Sequence, residues 1–211
     1  MNTILFDMDG TLLDTEKYYQ KAWKQAISDA GYELDATEVL KLRSLGRPFV
    51  LKQFREWFGE DVDYWAIRDH RKELMKEFLA GKVPLKPAVP ETLQELKNRG
   101  YRLAVVTATG EEQAEYSLNI TGIRSYFDAV VCATMVERGK PAPDVYQFAC
   151  SQLKVSPEKC YAVEDSPNGI RSAHDAGCKA VMIPDLTQPD VEIMQLLYRK
   201  LDTFRELMNI M

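Results

Sequence analysis

The sequence predicts an α/β fold: a parallel-sheet core with an α-helical cap inserted near its beginning. Three observations lead there. Short apolar runs alternate with helix-like segments in the second half of the chain. About ninety residues separate the first such run from the second. Prolines cluster where the chain returns from that excursion.

Taken in order, the run 3–6 (Thr-Ile-Leu-Phe) is short, apolar and ended by Asp7, the pattern of a buried strand. The runs 102–106, 129–132, 161–163 and 179–183 read the same way, and continuous apolarity suits strands covered on both faces. Helix-like segments at roughly 111–120, 143–153 and 167–176 fall between the last four runs. Such alternation implies parallel strands joined by right-handed crossovers. The gap between the first and second runs is several times a normal crossover, so it holds an insertion. Leu42, Leu45, Phe49, Phe54, Trp57 and Phe58, then Trp65, Leu74, Phe78 and Leu79, recur in it at helical spacings. Trp23, Trp57 and Trp65 all lie there and are expected to pack a small core of its own. The stretch Val83-Pro84-Leu85-Lys86-Pro87-Ala88-Val89-Pro90 marks the return. The expected division is therefore 1–13 and 87–211 for the core and 14–86 for the cap.

A chain of 211 residues, 45% hydrophobic and 28% charged, has the composition of a soluble globular protein with a sizeable core. A net charge of -5 without a basic stripe weighs against nucleic acid as a partner. No run is long and apolar enough for a bilayer, and the first residues lack a basic secretory n-region, so a cytoplasmic protein without a membrane partner is expected. Cys132, Cys150, Cys160 and Cys178 show no Cys-X-X-Cys spacing and read as reduced, buried thiols. His70 and His174 are too few for a histidine metal site or triad.

Chemistry enters at Asp7-Met8-Asp9-Gly10-Thr11. Residues i and i+2 of an extended segment project to one side, so Asp7 and Asp9 reach one place, and Gly10 lets the chain turn away. Neighbouring carboxylates repel, and a site that keeps them needs a cation, a shared proton or divided labour. An Asp-Gly turn is the plain alternative. A calcium loop counted from Asp7 fails, since Leu12 and Tyr18 stand where Gly and Glu are required.

Open parallel sheets bind ligands outside the carboxyl ends of their strands. Three more groups follow strands here: Thr107-Ala108-Thr109-Gly110, Gly139-Lys140-Pro141-Ala142-Pro143-Asp144, and Glu164-Asp165-Ser166-Pro167-Asn168-Gly169. Each has a structural alternative: Thr107 as a helix cap, Lys140 as a solvated cation, and 164–167 as a helix start. Jointly they supply a nucleophile, acids for a cation, a hydroxyl and an ammonium, the parts needed for phosphoryl transfer.

These four segments resemble, in order and spacing, the motifs of the haloacid dehalogenase-like (HAD-like) superfamily. The likeness is to its β-phosphoglucomutase-like and phosphatase branch, in which a helical cap follows the first motif. The resemblance implies a Rossmann-like core and a Mg²⁺-dependent phosphatase acting on a small phosphorylated metabolite, such as a sugar phosphate. It implies that Asp7 attacks phosphorus to form an aspartyl-phosphate and that Asp9 serves as acid, then base. Thr107, Ala108 and Lys140 would bind the substrate, with Thr107 and Lys140 also counted as catalytic. Asp165, with Glu164, would hold Mg²⁺ together with the Asp7 carboxylate and the Asp9 backbone carbonyl. Asp9 itself argues for phosphate esters, since members that break carbon–halogen bonds lack Asp there. Arg47 resembles a cap arginine that binds the substrate's distal phosphate in the mutase. The mutase carries His where this chain has Tyr19, a departure that favours hydrolysis. A sugar phosphomutase and a non-catalytic binding module remain the alternatives.

Overall fold

The computed structural model describes residues 3–210. Its elements in chain order are β1 (Thr3–Phe6), α1 (Glu16–Asp29), α2 (Ala36–Val39), α3 (Phe49–Phe58), α4 (Tyr64–Leu79) and α5 (Val89–Asn98). There follow β2 (Arg102–Thr107), α6 (Glu111–Ile120), β3 (Ala129–Cys132), α7 (Asp144–Gln152) and β4 (Cys160–Glu164). The chain ends with α8 (Pro167–Asp175), β5 (Lys179–Met182), α9 (Val191–Leu196) and β6 (Arg199–Lys200), then a 3₁₀ segment.

The strands form one sheet in the order β3-β2-β1-β4-β5-β6, all parallel. Leu5 of β1 lies level with Ala104 of β2 and Ala162 of β4. The chain builds outward from β1 to β3, then crosses back to β4, so strand order reverses between β1 and β4. A crevice opens at the carboxyl ends there.

The sheet is covered on both faces, which is why its strands are apolar throughout. Ile4 and Phe6 pack with Val89, Leu93 and Leu96 of α5, Leu118 of α6, and Phe204 and Leu207 of the terminal segment. Leu5, Ala104 and Val106 face the other way, onto Val145, Tyr146 and Ala149 of α7 and Ile170 and Ala173 of α8. The expected strands and the three helices between them are present. α5, α9 and β6 are additional to the expected elements. Of the prolines at 84, 87 and 90, Pro90 sits in the first turn of α5, where its missing N–H costs nothing. A two-residue edge strand such as β6 carries no periodicity to detect.

Between β1 and β2, α1, α3 and α4 pack around a separate cluster of Ala26, Ile27, Leu42, Val50, Phe54, Tyr64 and Ile67. Phe54 is its aromatic hub, with ring centroids of Tyr64 at 4.9 Å and Trp23 at 5.6 Å. Trp57 packs there too. Trp65 does not, contrary to expectation: it is 44% exposed, flanked by the guanidinium groups of Arg47 and Arg68. It is the second residue of α4 and meets the cluster at the edge, its ring centre 5.1 Å from that of Tyr64.

The chain leaves and rejoins the sheet side by side. Leu13 and Leu85 form an antiparallel bridge, the Asp14 N–H donates to Pro84 O, and the Lys86 N–H donates to Leu12 O. The Lys86 ammonium spans Asp14 at 3.0 Å and Asp185 at 2.6 Å. A second seam lies opposite. The Gly46 N–H donates to Lys140 O and the Gly139 N–H to Arg47 O, each at 2.7 Å. A Cβ on Gly46 would come within 2.6 Å of Gly139 Cα, so only glycine permits this approach.

Candidate active site

Three strand ends and one loop converge on the crevice. Asp7 follows β1, Thr107 ends β2, Glu164 ends β4 with Asp165 directly after it, and Lys140 comes from the loop between β3 and α7. The Lys140 ammonium lies 2.6 Å from Asp7 Oδ1, 2.6 Å from Glu164 Oε1 and 2.9 Å from Val106 O. Its hydrogens are thus matched by three acceptors, and its side chain is wholly buried. Burial alone would lower its pKa, but the charges of Asp7 and Glu164 outweigh it and hold the ammonium above its usual range. Burial pushes Glu164 up to about 7 against the pull of Lys140. The Tyr146 hydroxyl also donates to Glu164 Oε1, at 2.5 Å.

The solvated alternative for Lys140 is therefore excluded, and Thr107 caps no helix. Gly110 precedes α6, and the Thr107 hydroxyl accepts from the Thr109 N–H at 3.0 Å. The 164–167 segment is both a helix start and part of the cluster: Ser166 caps α8 by accepting from the Gly169 N–H. Gly169 is required here, because a Cβ would fall 1.9 Å from Glu164 Oε2.

Asp9 faces differently. Its Oδ1 accepts from the Thr15 hydroxyl at 2.7 Å and its Oδ2 from the Thr109 hydroxyl at 2.8 Å. Burial, opposed by those hydrogen bonds and reinforced by the Asp7 charge, raises its pKa to about 6. One carboxylate of the pair is thus held by an ammonium and the other between hydroxyls. Neither Thr15 nor Thr109 has a role in the sequence-based site, and Thr109, a hundred residues from Asp9, meets it only through the fold.

A divalent cation has a fitting place. Oδ2 of Asp7, Oε2 of Glu164 and Oδ1 of Asp165 are buried without a hydrogen-bond partner. Ligand oxygens of these three residues lie within 4.8 Å of one another. Orphaned hard oxygens converging in this way suit Mg²⁺. The Asp9 carboxylate is turned to its threonines and does not join this group. The other oxygen of Asp165 accepts from Arg43, whose guanidinium also donates to Thr187 and lies 3.4 Å from Glu16. Arg43 reaches in from the segment before α3, is buried, and went unrecognised in the sequence because a lone Arg there carries no pattern.

Above the crevice lies a cavity of about 1150 Å³, bounded by Asp7, Asp9, Thr107 and Ala108 below and by Tyr19, Trp23, Arg68 and Arg71 above. Lys140 stands behind Asp7 instead of lining this space, so its side chain supports the carboxylate and does not face the cavity. Arg47 is exposed and lies outside the cavity wall, its guanidinium 5.8 Å from the Trp65 ring centre. The backbone at 46–47 is consumed by the seam with Gly139 and Lys140, which leaves the Arg47 side chain outside.

A parallel-sheet core with an acid cluster, an ammonium and a hydroxyl at its strand ends, beneath a helical cover, defines an enzyme that handles phosphoryl groups. The chain belongs to the haloacid dehalogenase-like hydrolases, whose family model matches residues 4–183. It is 33% identical to fructose-1-phosphate phosphatase YqaB of Escherichia coli K12, over 84% of this chain and 94% of that one. It is 30% identical to the β-phosphoglucomutase of Bacillus subtilis, over 86% of this chain and 82% of that one. Among solved structures it resembles a mutant form of CbbY from Rhodobacter sphaeroides in complex with xylulose-(1,5)bisphosphate. There the TM-score is 0.81 at 30% identity, covering 98% of this chain and 96% of that one. Phosphatases and phosphomutases thus stand together among its relatives. Among the described residues, no helix is long and apolar enough to cross a membrane.

Proposed function

We propose that the protein is a Mg²⁺-dependent phosphatase that hydrolyses a small phosphorylated metabolite through an aspartyl-phosphate on Asp7. One observation carries this reading. Asp7 lies on the cavity floor with Oδ1 held by Lys140 and Oδ2 free of any hydrogen bond, the posture of an oriented carboxylate nucleophile.

In the first step Asp7 forms a bond to phosphorus while the bond to the ester oxygen breaks, and Asp9 gives that oxygen its proton. A carboxyl raised to about 6 retains enough acid form near neutrality to do so. In the second step Asp9 takes a proton from water as the water oxygen bonds to phosphorus, releasing inorganic phosphate and restoring Asp7. The Thr107 hydroxyl and the Ala108 segment bind phosphoryl oxygens. Lys140 offsets the charge of Asp7 and Glu164. Asp7, Glu164, Asp165 and the Asp9 carbonyl would hold Mg²⁺, which neutralises charge between an anionic nucleophile and an anionic ester. Residues 14–86 serve as a cap that excludes bulk water and sorts substrates. Four free, buried thiols suit the reducing cytoplasm.

The test is phosphate release across sugar phosphates, nucleotides and phosphorylated acids, with Mg²⁺ and after chelation. Release that needs Mg²⁺ is expected. Isomerised hexose phosphate without equivalent free phosphate would establish a mutase instead, and the absence of turnover on every ester would leave a binding module.

A further inference from the structure

Four cations of α4 line the cavity: Arg68, Arg71, Lys72 and Lys76. Three have carboxylate partners on their own helix. Arg68 lies 3.3 Å from Asp69, Lys72 lies 3.4 Å from Asp69, and Lys76 lies 2.8 Å from Glu73. Arg71 has no carboxylate within ion-pair distance among the described residues, and its buried Nε has no hydrogen-bond partner.

Aromatic faces hold it in place instead. Its guanidinium carbon lies 4.8 Å from the Trp23 ring centre and 5.1 Å from that of Tyr19, two residues one turn apart on α1. Both rings pack against the guanidinium, and Arg71 borders the same cavity as Asp7, Asp9 and Thr107. Arg71 is half-buried without an ion pair among the described residues, its charge acting on Asp9, and an anion entering the cavity would match its guanidinium better than a neutral hydroxyl. The planar fork of Arg also matches carboxylate and phosphoryl oxygens two at a time.

We propose that Arg71 selects the substrate by binding a second anionic group, a carboxylate or a second phosphoryl, on an ester whose reacting phosphate sits at Asp7. The preferred substrates are then doubly anionic small metabolites. This rests on the phosphatase reading above.

The experiment compares kcat/KM for a sugar monophosphate, the corresponding bisphosphate, a short phosphorylated hydroxy acid and an aryl phosphate, in wild type, Arg71→Met, Arg71→Lys and Lys76→Met. Wild type should favour one doubly anionic ester over the monophosphate by about tenfold or more. Arg71→Met should erase most of that preference, chiefly through KM. Arg71→Lys should restore part of it, and Lys76→Met should keep the ratio within about twofold, as expected for an exposed ion pair. The bisphosphate and hydroxy-acid arms separate phosphoryl from carboxylate. A uniform loss on all four esters in Arg71→Met would overturn the proposal, because Arg71 would then act on the core acids, as would an unchanged ratio. Failure of wild type to release phosphate from any ester would instead defeat the phosphatase reading first.

Discussion

Nζ of Lys140 lies 2.6 Å from Oδ1 of Asp7, and both side chains are buried. The pair ties the loop after β3 to the end of β1, across β2. Removing the ammonium strands two carboxylates, Asp7 and Glu164, in the interior. Lys140→Met should therefore lose stability by about 3–5 kcal/mol, the usual consequence of breaking a buried pair from one side. Urea denaturation measures it, and a variant as stable as wild type would show that the carboxyls simply take up protons.

Asp7→Asn keeps the shape of the side chain and removes the nucleophile. Phosphate release should fall by several orders of magnitude while the cooperative unfolding transition remains. Turnover near the wild-type rate in a folded variant would dismiss the aspartyl-phosphate route.

Much of this site was legible in the sequence because its chemistry sits on short motifs, each directly after a strand. Asp7, Thr107, Lys140, Glu164 and Asp165 each come after an expected strand, which groups them at one end of a parallel sheet. Thr109 in the core, and Arg43 and Arg71 between β1 and β2, have contacts that no motif gives: they join segments far apart in sequence, which helical spacing does not reveal. Arg47 is exposed beside Trp65, next to Gly46, which is held in the seam with Gly139 and Lys140.

The acid at Asp9 gives a signed pH prediction. Its carboxyl titrates near 6 in the fold, above the ordinary value of 3.8. The native state thus binds more protons than the unfolded chain between about pH 4 and 6, so this group's contribution favours folding in acid and is lost as pH rises through 6. Asp9→Asn should flatten that segment of the stability curve in metal-free protein. The same variant should lose about 10²–10⁴-fold in activity, and less for aryl phosphates, whose leaving group needs little protonation. Equal losses on aryl and alkyl esters would deny Asp9 the acid role.

Gly46→Ala inserts a methyl where Gly139 already stands 2.6 Å away. Backbone cannot yield as a side-chain end can, so the cap should stay open. Proteolysis at residues 83–87 should quicken, and a metal fluoride with Mg²⁺ should protect those sites in wild type more than in the variant. Equal protection in both proteins would mean that the Gly46–Gly139 seam does not govern closure.

The Leu13–Leu85 bridge, with Lys86 fastened to Asp14 and Asp185, makes the helical insertion a loop whose two feet stand together. Closing a flexible loop costs only about 0.6 kcal/mol more for each doubling of its length. Once the feet are clamped, the core constrains chiefly the loop residues that touch it, such as Arg43 at Asp165 and Gly46 at Gly139. Changes of length in the helices away from those contacts are therefore tolerable to the folding of the core. Substrate preference can drift with the insertion while the chemistry at Asp7 stays where it is.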